Sequence, residues 1–159
     1  MKVEYINPFI NATKNLMEVM VDIKQFEKRS VVLDQQMKST YDVSAIIGVT
    51  GDYVGSIVLS FTKSVAAEML SKLLGEPVSD FDDDACDAVG EMVNIIAGNA
   101  SAELSRNGIS NLKRSLPNVI YGRGHVIKRP HDVPCINVFF ETELGGFAMQ
   151  VSLKATCPI

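Results

Sequence analysis

The chain has 159 residues, 47% of them hydrophobic and 21% charged, and a formal net charge of −4. That suits a single soluble domain, 1–159, with a real core. The acidic balance and the sparse basic pairs (among them Lys113-Arg114 and Lys128-Arg129) argue against general nucleic-acid binding, no apolar run nears the ~20 residues of a membrane span, and MKVEYINPF lacks the apolar stretch of a signal peptide.

In chain order, Met1 to Ile6 fits a short arm or strand. Pro8 suits a helix start, and FINATKNLMEVM continues at helical spacing with Phe9, Ala12, Leu16, Val19 and Met20 on one side. That helix is predicted to fade near Val21. Glu27 to Met37 is mixed and predicted to be extended. A hairpin follows: Tyr41, Val43, Ala45, Ile47 and Val49 alternate with polar or small residues, Thr50-Gly51-Asp52 turns, and Ile57, Leu59 and Phe61 resume the alternation. Thr62 is placed to cap a helix carrying Val65, Met69, Leu70 and Leu73, and Gly75 to close it.

After a break at Pro77–Asp80, the chain enters its longest periodic stretch, Asp80 to Gly108. Ser79 or Asp80 is predicted to cap it, Asp82, Asp83 and Asp84 complement the first-turn dipole, and Asn107-Gly108 suits a left-handed C-cap. At about 100° per residue, Val89, Met92, Val93, Ile96, Ala97, Ala100 and Leu104 gather on one side. Asp87, Glu91, Asn94, Gly98, Ser101 and Ser105 gather on the other. No Lys or Arg between Asp80 and Leu104 offsets the acids. A solvated face is the simplest account of that side. The other account is a low, acidic, carboxamide-bearing ridge, with Gly98 letting another surface come close.

Beyond Gly108 the chain is irregular to Pro117, and Val119 to Ile127 reads as a strand with Gly122 and Gly124 as bulge or close-approach positions. A proline-rich turn, 128–134, precedes alternating Ile136, Val138 and Phe140. Leu144-Gly-Gly146 turns the chain into strictly alternating Phe147, Met149, Val151 and Leu153. The expected class is α+β: a largely antiparallel sheet with long helices packed on one face. Two halves, roughly 7–61 and 81–153, share a helix-then-strands rhythm.

Most catalytic constellations are absent. There is no phosphate-binding GxxxxGK[ST], no GxGxxG and no Gly-x-Ser-x-Gly. His125 and His131 show no metal-ligand spacing with Cys86, Cys135 and Cys157. The odd cysteine count without Cys-x-x-Cys fits reduced thiols of a cytoplasmic protein. Asp82-Asp83-Asp84 and Asp87 can attract a cation, but consecutive helical acids point in different directions, which favours capping. Glu91 and Asn94 remain. A carboxamide is no general base at neutral pH, yet it can hold a water with an acceptor oxygen and donor hydrogens at once. Glu91, one turn away, can meet a cation on whatever carries a phosphate. With nine Glu and nine Asn in the chain, chance supplies about half a Glu-x-x-Asn match. Glu4-Tyr-Ile-Asn7 is a second copy, set aside because Pro8 draws Asn7 from helical geometry.

The fuller pattern Asp87-x-x-x-Glu91-x-x-Asn94, followed by IIAGNASAEL, resembles the signature helix of the CheC/CheX/FliY phosphatases of bacterial chemotaxis. INPFINATKNLMEVM, IIGVTGDYVGSIVLSF and INVFFETELGGFAMQVSL resemble further segments of the CheX members, in order along nearly the whole chain. The resemblance implies hydrolysis of the aspartyl phosphate of the response regulator CheY, beside a Mg²⁺ held by the regulator, with no cofactor bound by this chain. Glu91 then pairs with a regulator lysine and Asn94 orients the attacking water. Asp87, Gly98 and Ser101 belong to the partner-facing stripe. One signature helix per chain implies a homodimer. The alternative within the same fold is a non-catalytic module that binds a response regulator or a flagellar motor-switch component.

Overall fold

A computed structural model describes residues 3–33 and 40–156. A 3₁₀ turn (Val3–Ile6) runs into α1 (Asn7–Val19), followed by β1 (Phe26–Leu33), β2 (Val43–Gly51), β3 (Tyr53–Phe61) and α2 (Lys63–Leu74). Then come α3 (Asp83–Arg106), β4 (Leu112–Arg114), β5 (Asn118–Tyr121), β6 (Cys135–Thr142) and β7 (Gly145–Ala155). One antiparallel sheet is ordered β1-β6-β7-β3-β2-β4, with β5 pairing a second part of β2. This is the expected α+β architecture.

Alternation decides the two faces of the sheet. Val43, Ala45, Ile47 and Val49 of β2, Ile57, Leu59 and Phe61 of β3, Ile136, Val138 and Phe140 of β6, and Phe147, Met149, Val151 and Leu153 of β7 are buried in one cluster with the three helices. Each Val, Leu, Ile, Phe or Met among them, fully buried, contributes about 1.5–3 kcal/mol relative to exposure. The opposite face is polar but also buried. There Ser44 and Ser60 share a 2.7 Å hydroxyl bond, His125 Nε2 lies 2.8 Å from Ser44 Oγ, and Gln150 Nε2 donates to Asn137 Oδ1 at 3.0 Å.

The two halves interlock. Each is a helix, an edge strand and a hairpin, and each lends its edge strand to the other. β1 pairs with β6, while β4 and β5 pair with β2. β3 and β7 meet at the centre. An acid in each hairpin turn catches the chain as it enters the borrowed strand. Glu143 accepts from the Lys24 and Gln25 amides at 2.9 and 2.8 Å, ahead of β1. Asp52 accepts from the Asn111 amide at 3.1 Å, ahead of β4.

Several expected boundaries shift. The N-terminal segment is a 3₁₀ turn from Val3, with Met1 outside the described residues. Val19 and Met20 are 72% and 43% exposed, because α1 ends at Val19. The buried stripe takes Thr13 and Met17 instead, and Thr13 Oγ1 satisfies itself on the Phe9 carbonyl at 2.8 Å. The extension expected to Met37 is strand to Leu33, and its remainder lies outside the described residues, as does Cys157. Asp82, not Ser79 or Asp80, caps α3, accepting from the Ala85 amide at 2.9 Å. The α3 exit is a Schellman turn: Gly108 adopts φ 94°, its amide reaches the Ser105 carbonyl, and the Ile109 amide reaches that of Leu104. The stretch expected to be irregular contains β4. The strand expected to reach Ile127 stops at Tyr121, where Gly122 turns away and donates to the Asp42 carbonyl. The last turn is Glu143-Leu144, one residue early.

Candidate functional site

The buried stripe of α3 is Ala85, Val89, Gly90, Met92, Val93, Ile96, Ala97, Ala100 and Leu104. Anchoring that stripe turns the other side outward, so position 91 is presented by the packing of 89, 92, 93 and 96. Asp87 and Glu91 are exposed, and Asn94, Gly98 and Ser101 are half-buried along the same side. The expected stripe therefore exists as one continuous ridge. Its ends are fixed by the Asp82 cap and the Gly108 turn.

Within the ridge, Asn94 Nδ2 donates to Glu91 Oε2 at 3.3 Å. A carboxylate only accepts, so the amide nitrogen must be the atom facing Glu91. That leaves the Asn94 carbonyl oxygen and its second N–H for another ligand. A carboxylate also offers about four lone-pair sites, so Glu91 can hold Asn94 and still receive a cation. The pair can thus orient a water and meet a positive charge.

Sequence order hides a neighbour of this pair. Arg114, in β4, pairs with Val49 of β2, and directly opposed residues of an antiparallel pair point to the same face. Val49 faces the helices, so Arg114 does too. Its Nη1 donates to the main-chain oxygen of Asn94 at 3.1 Å. A Cβ built on Gly98 would stand 2.5 Å from that nitrogen. The space left by Gly98 is occupied by Arg114 in this structure. The ridge that carries no cation of its own receives one from the sheet edge. The one signal in the sequence is the alternation of Leu112 and Arg114 ahead of Pro117, too short to announce a strand.

The chain then breaks the edge between β4 and β5. Ser115 Oγ accepts from the Gly48 amide at 2.9 Å, Leu116 is 85% exposed, and Pro117 packs over Gly90, where a Cβ would lie 3.4 Å from the ring. The break thus packs against the helix one residue before Glu91.

The remaining candidates have other duties. Asp82 is a cap. Among the described residues, no group of three or more His, Cys, Asp or Glu side chains could hold a metal ion. Burial, then Asp83, Asp82 and Asp87, push the Cys86 thiol up, away from thiolate chemistry. His125 is tied to Ser44 and to the Gly122 carbonyl. Among the described residues, no helix is long and apolar enough to cross a membrane.

Comparison with known proteins follows the same outline. A family model described as chemotaxis phosphatase CheX matches residues 43–141, a range that includes β2, α3 and β4. The CheY-P phosphatase CheX of Thermotoga maritima is 28% identical over 123 residues, covering 72% of this chain and 74% of that protein. The crystal structure of the chemotaxis protein CheX from Desulfovibrio desulfuricans is 35% identical, with a TM-score of 0.86 over 96% of this chain and 100% of that one. A chain of the CheX–CheY–BeF3–Mg²⁺ complex from Borrelia burgdorferi is 26% identical, with a TM-score of 0.81 over 96% of this chain and 99% of that one.

Proposed function

The chain belongs to the CheX family of chemotaxis phosphatases, and from that premise we propose that it hydrolyses the aspartyl phosphate of a CheY-type response regulator through Asn94 and Glu91. The observation that carries this reading is the bonded carboxamide–carboxylate pair on the outward side of a helix whose other side is locked in the core.

In this reading α3 docks against the regulator's phosphorylated aspartate. The Asn94 side-chain oxygen accepts a hydrogen bond from the attacking water and so points the water's lone pair at phosphorus. As that P–O bond forms, the bond to the aspartate carboxylate breaks. The water's proton passes to phosphoryl oxygens or solvent, since a carboxamide does not take it. Glu91 pairs with a regulator lysine, fixing the approach while retaining its hold on Asn94. A Mg²⁺ held by the regulator neutralises charge on the phosphoryl group. This chain's contribution is alignment, which can be worth several powers of ten when both reactants are fixed. Asp87 extends the docking surface one turn before Glu91, and Ser101 two turns beyond Asn94.

We assign one such site to each chain, because α1 carries Asn11 and Lys14 where α3 carries Glu91 and Asn94, and the resemblance to CheX implies that two such chains form a homodimer. The test is phosphate release from a phosphorylated receiver domain with Mg²⁺, using catalytic amounts of this protein. The wild type is expected to turn over repeatedly, and Asn94→Ala to lose about 10²–10³ in rate, the usual cost of one aligned polar group. Wild-type rates in Asn94→Ala would end the assignment. Saturable binding without acceleration by the wild type would instead indicate a non-catalytic interaction module.

A further inference from the structure

We infer that Arg114 is a positioning residue for the same site, and that Gly98 is glycine to seat it; this rests on the phosphatase reading. The Asn94 carbonyl lies inside α3, where the amide four residues on is its helical partner. A carbonyl oxygen has two lone pairs, so the Arg114 bond at 3.1 Å adds to the helical ladder without breaking it. The bond ties the turn carrying Asn94 to β4, and β4 is registered on β2 through Val49, Thr50 and Gly51. The guanidinium holds its donors in a fixed planar fork, so the exposed Arg114 side chain makes a directed strut to the Asn94 carbonyl rather than acting only as a counter-charge.

Gly98 is the other half of the device. An alanine Cβ there would stand 2.5 Å from Nη1 and 3.4 Å from Cζ, closer than the guanidinium tolerates without moving. Alanine is otherwise the better helix former, so nothing in the helix itself asks for glycine. A water held by Asn94 must be placed to a fraction of an ångström, and a shift of about 1 Å can cost about a hundredfold. The strut controls that placement through the backbone of the residue that holds the water.

The test is a double-mutant cycle on turnover of a phosphorylated receiver domain with Mg²⁺, with Asn94→Ala as reference. Arg114→Ala and Gly98→Ala are each expected to lower kcat about tenfold with little change in KM. The double variant is expected to be no worse than either single one, because Gly98→Ala acts by evicting Arg114. Far-UV circular dichroism and melting curves like those of the wild type show that folding is not the cause. Wild-type kcat in Arg114→Ala overturns the inference, as does a loss confined to KM, which would make Arg114 a partner contact. A further loss on adding Gly98→Ala to Arg114→Ala overturns the role of Gly98 and returns it to clearance for the partner. In each of those cases an inactive Asn94→Ala leaves the phosphatase reading standing. A fully active Asn94→Ala removes both.

Discussion

Helices α1 and α3 are packed alike but carry different outward faces. Phe9, Ala12, Thr13, Leu16 and Met17 of α1 are buried, and Val89, Met92, Val93, Ile96 and Ala97 of α3 repeat the same spacing. Each lies beside the edge strand that follows it. In that alignment Asn11 answers to Glu91, Lys14 to Asn94 and Glu18 to Gly98. The outward side of α1 is a solvated face in which Lys14 and Glu18 form an exposed ion pair at 3.7 Å, the kind of pair that contributes a few tenths of a kcal/mol. The outward side of α3 has exchanged that pair for a carboxamide bonded to a carboxylate, and a glycine under an arginine. The core requirement is shared, so the difference between the helices resides in residues that the core leaves free.

The comparison can be broken first where the helices should be equal. Leu16→Ala and Ile96→Ala remove fully buried side chains from equivalent positions. Each is expected to destabilise by about 2–5 kcal/mol in denaturant titrations. A mild effect in one and a severe one in the other would mean that the helices do not carry equal shares of the core. Where they should differ, Asn94→Ala is expected to lose about 10²–10³ in phosphate release, or about 2.7–4 kcal/mol of barrier stabilisation. Lys14→Ala should leave the rate unchanged, and a comparable loss there would give α1 an active face.

A smaller effect is expected for Glu91→Ala, whose side chain is exposed and whose proposed partner is a cation. Loss of one charge-assisted bond, about 1.5–3 kcal/mol, should raise KM about ten- to a hundredfold and also lower kcat, because Asn94 loses its anchor. An unchanged affinity for the phosphorylated receiver would remove the lysine contact from the scheme. The smallest effect concerns the clasp before β1. The Lys24 amide, then the Gln25 amide, hold Glu143 below its ordinary value of 4.5. Its folded pKa is the lower one, so its stabilisation is fully present above the unfolded value and fades as pH falls through the folded one. Glu143→Gln should therefore be less stable than the wild type at neutral pH, with the gap closing in acid. A gap that persists or widens below that range would assign the effect to packing rather than charge.

Glu91 and Asn94 are legible in the sequence because one helix presents both, and helical period is local. The hairpins are legible for the same reason: Val43 to Val49 and Phe147 to Leu153 state their two-residue period outright. Arg114 is not. It reaches Asn94 from twenty residues away through a three-residue strand whose only justification is the edge of β2, and no local pattern encodes a borrowed edge. The misplacement of Val19 and Met20 has a related cause. Their helical spacing is sound, but the helix ends before they can use it, and Thr13 enters the core by bonding to its own backbone. Periodicity puts Gly98 on the correct side of the helix, while the occupant of its space is invisible without β4.

The exchange of edge strands has a consequence for how the chain comes into being. During synthesis from the N-terminus, β1 has no neighbour until Cys135–Thr142 emerges, and the outer edge of β2 stays open until Leu112–Tyr121 follows. Open edges recruit foreign strands, so the nascent protein is most exposed to aggregation before those later segments emerge. Pairings this distant in sequence also make for slow folding. The Arg114 bond to α3 comes into place only when its edge strand docks on a hairpin made earlier in synthesis, so the site proposed on α3 is completed late, with the closing of the sheet.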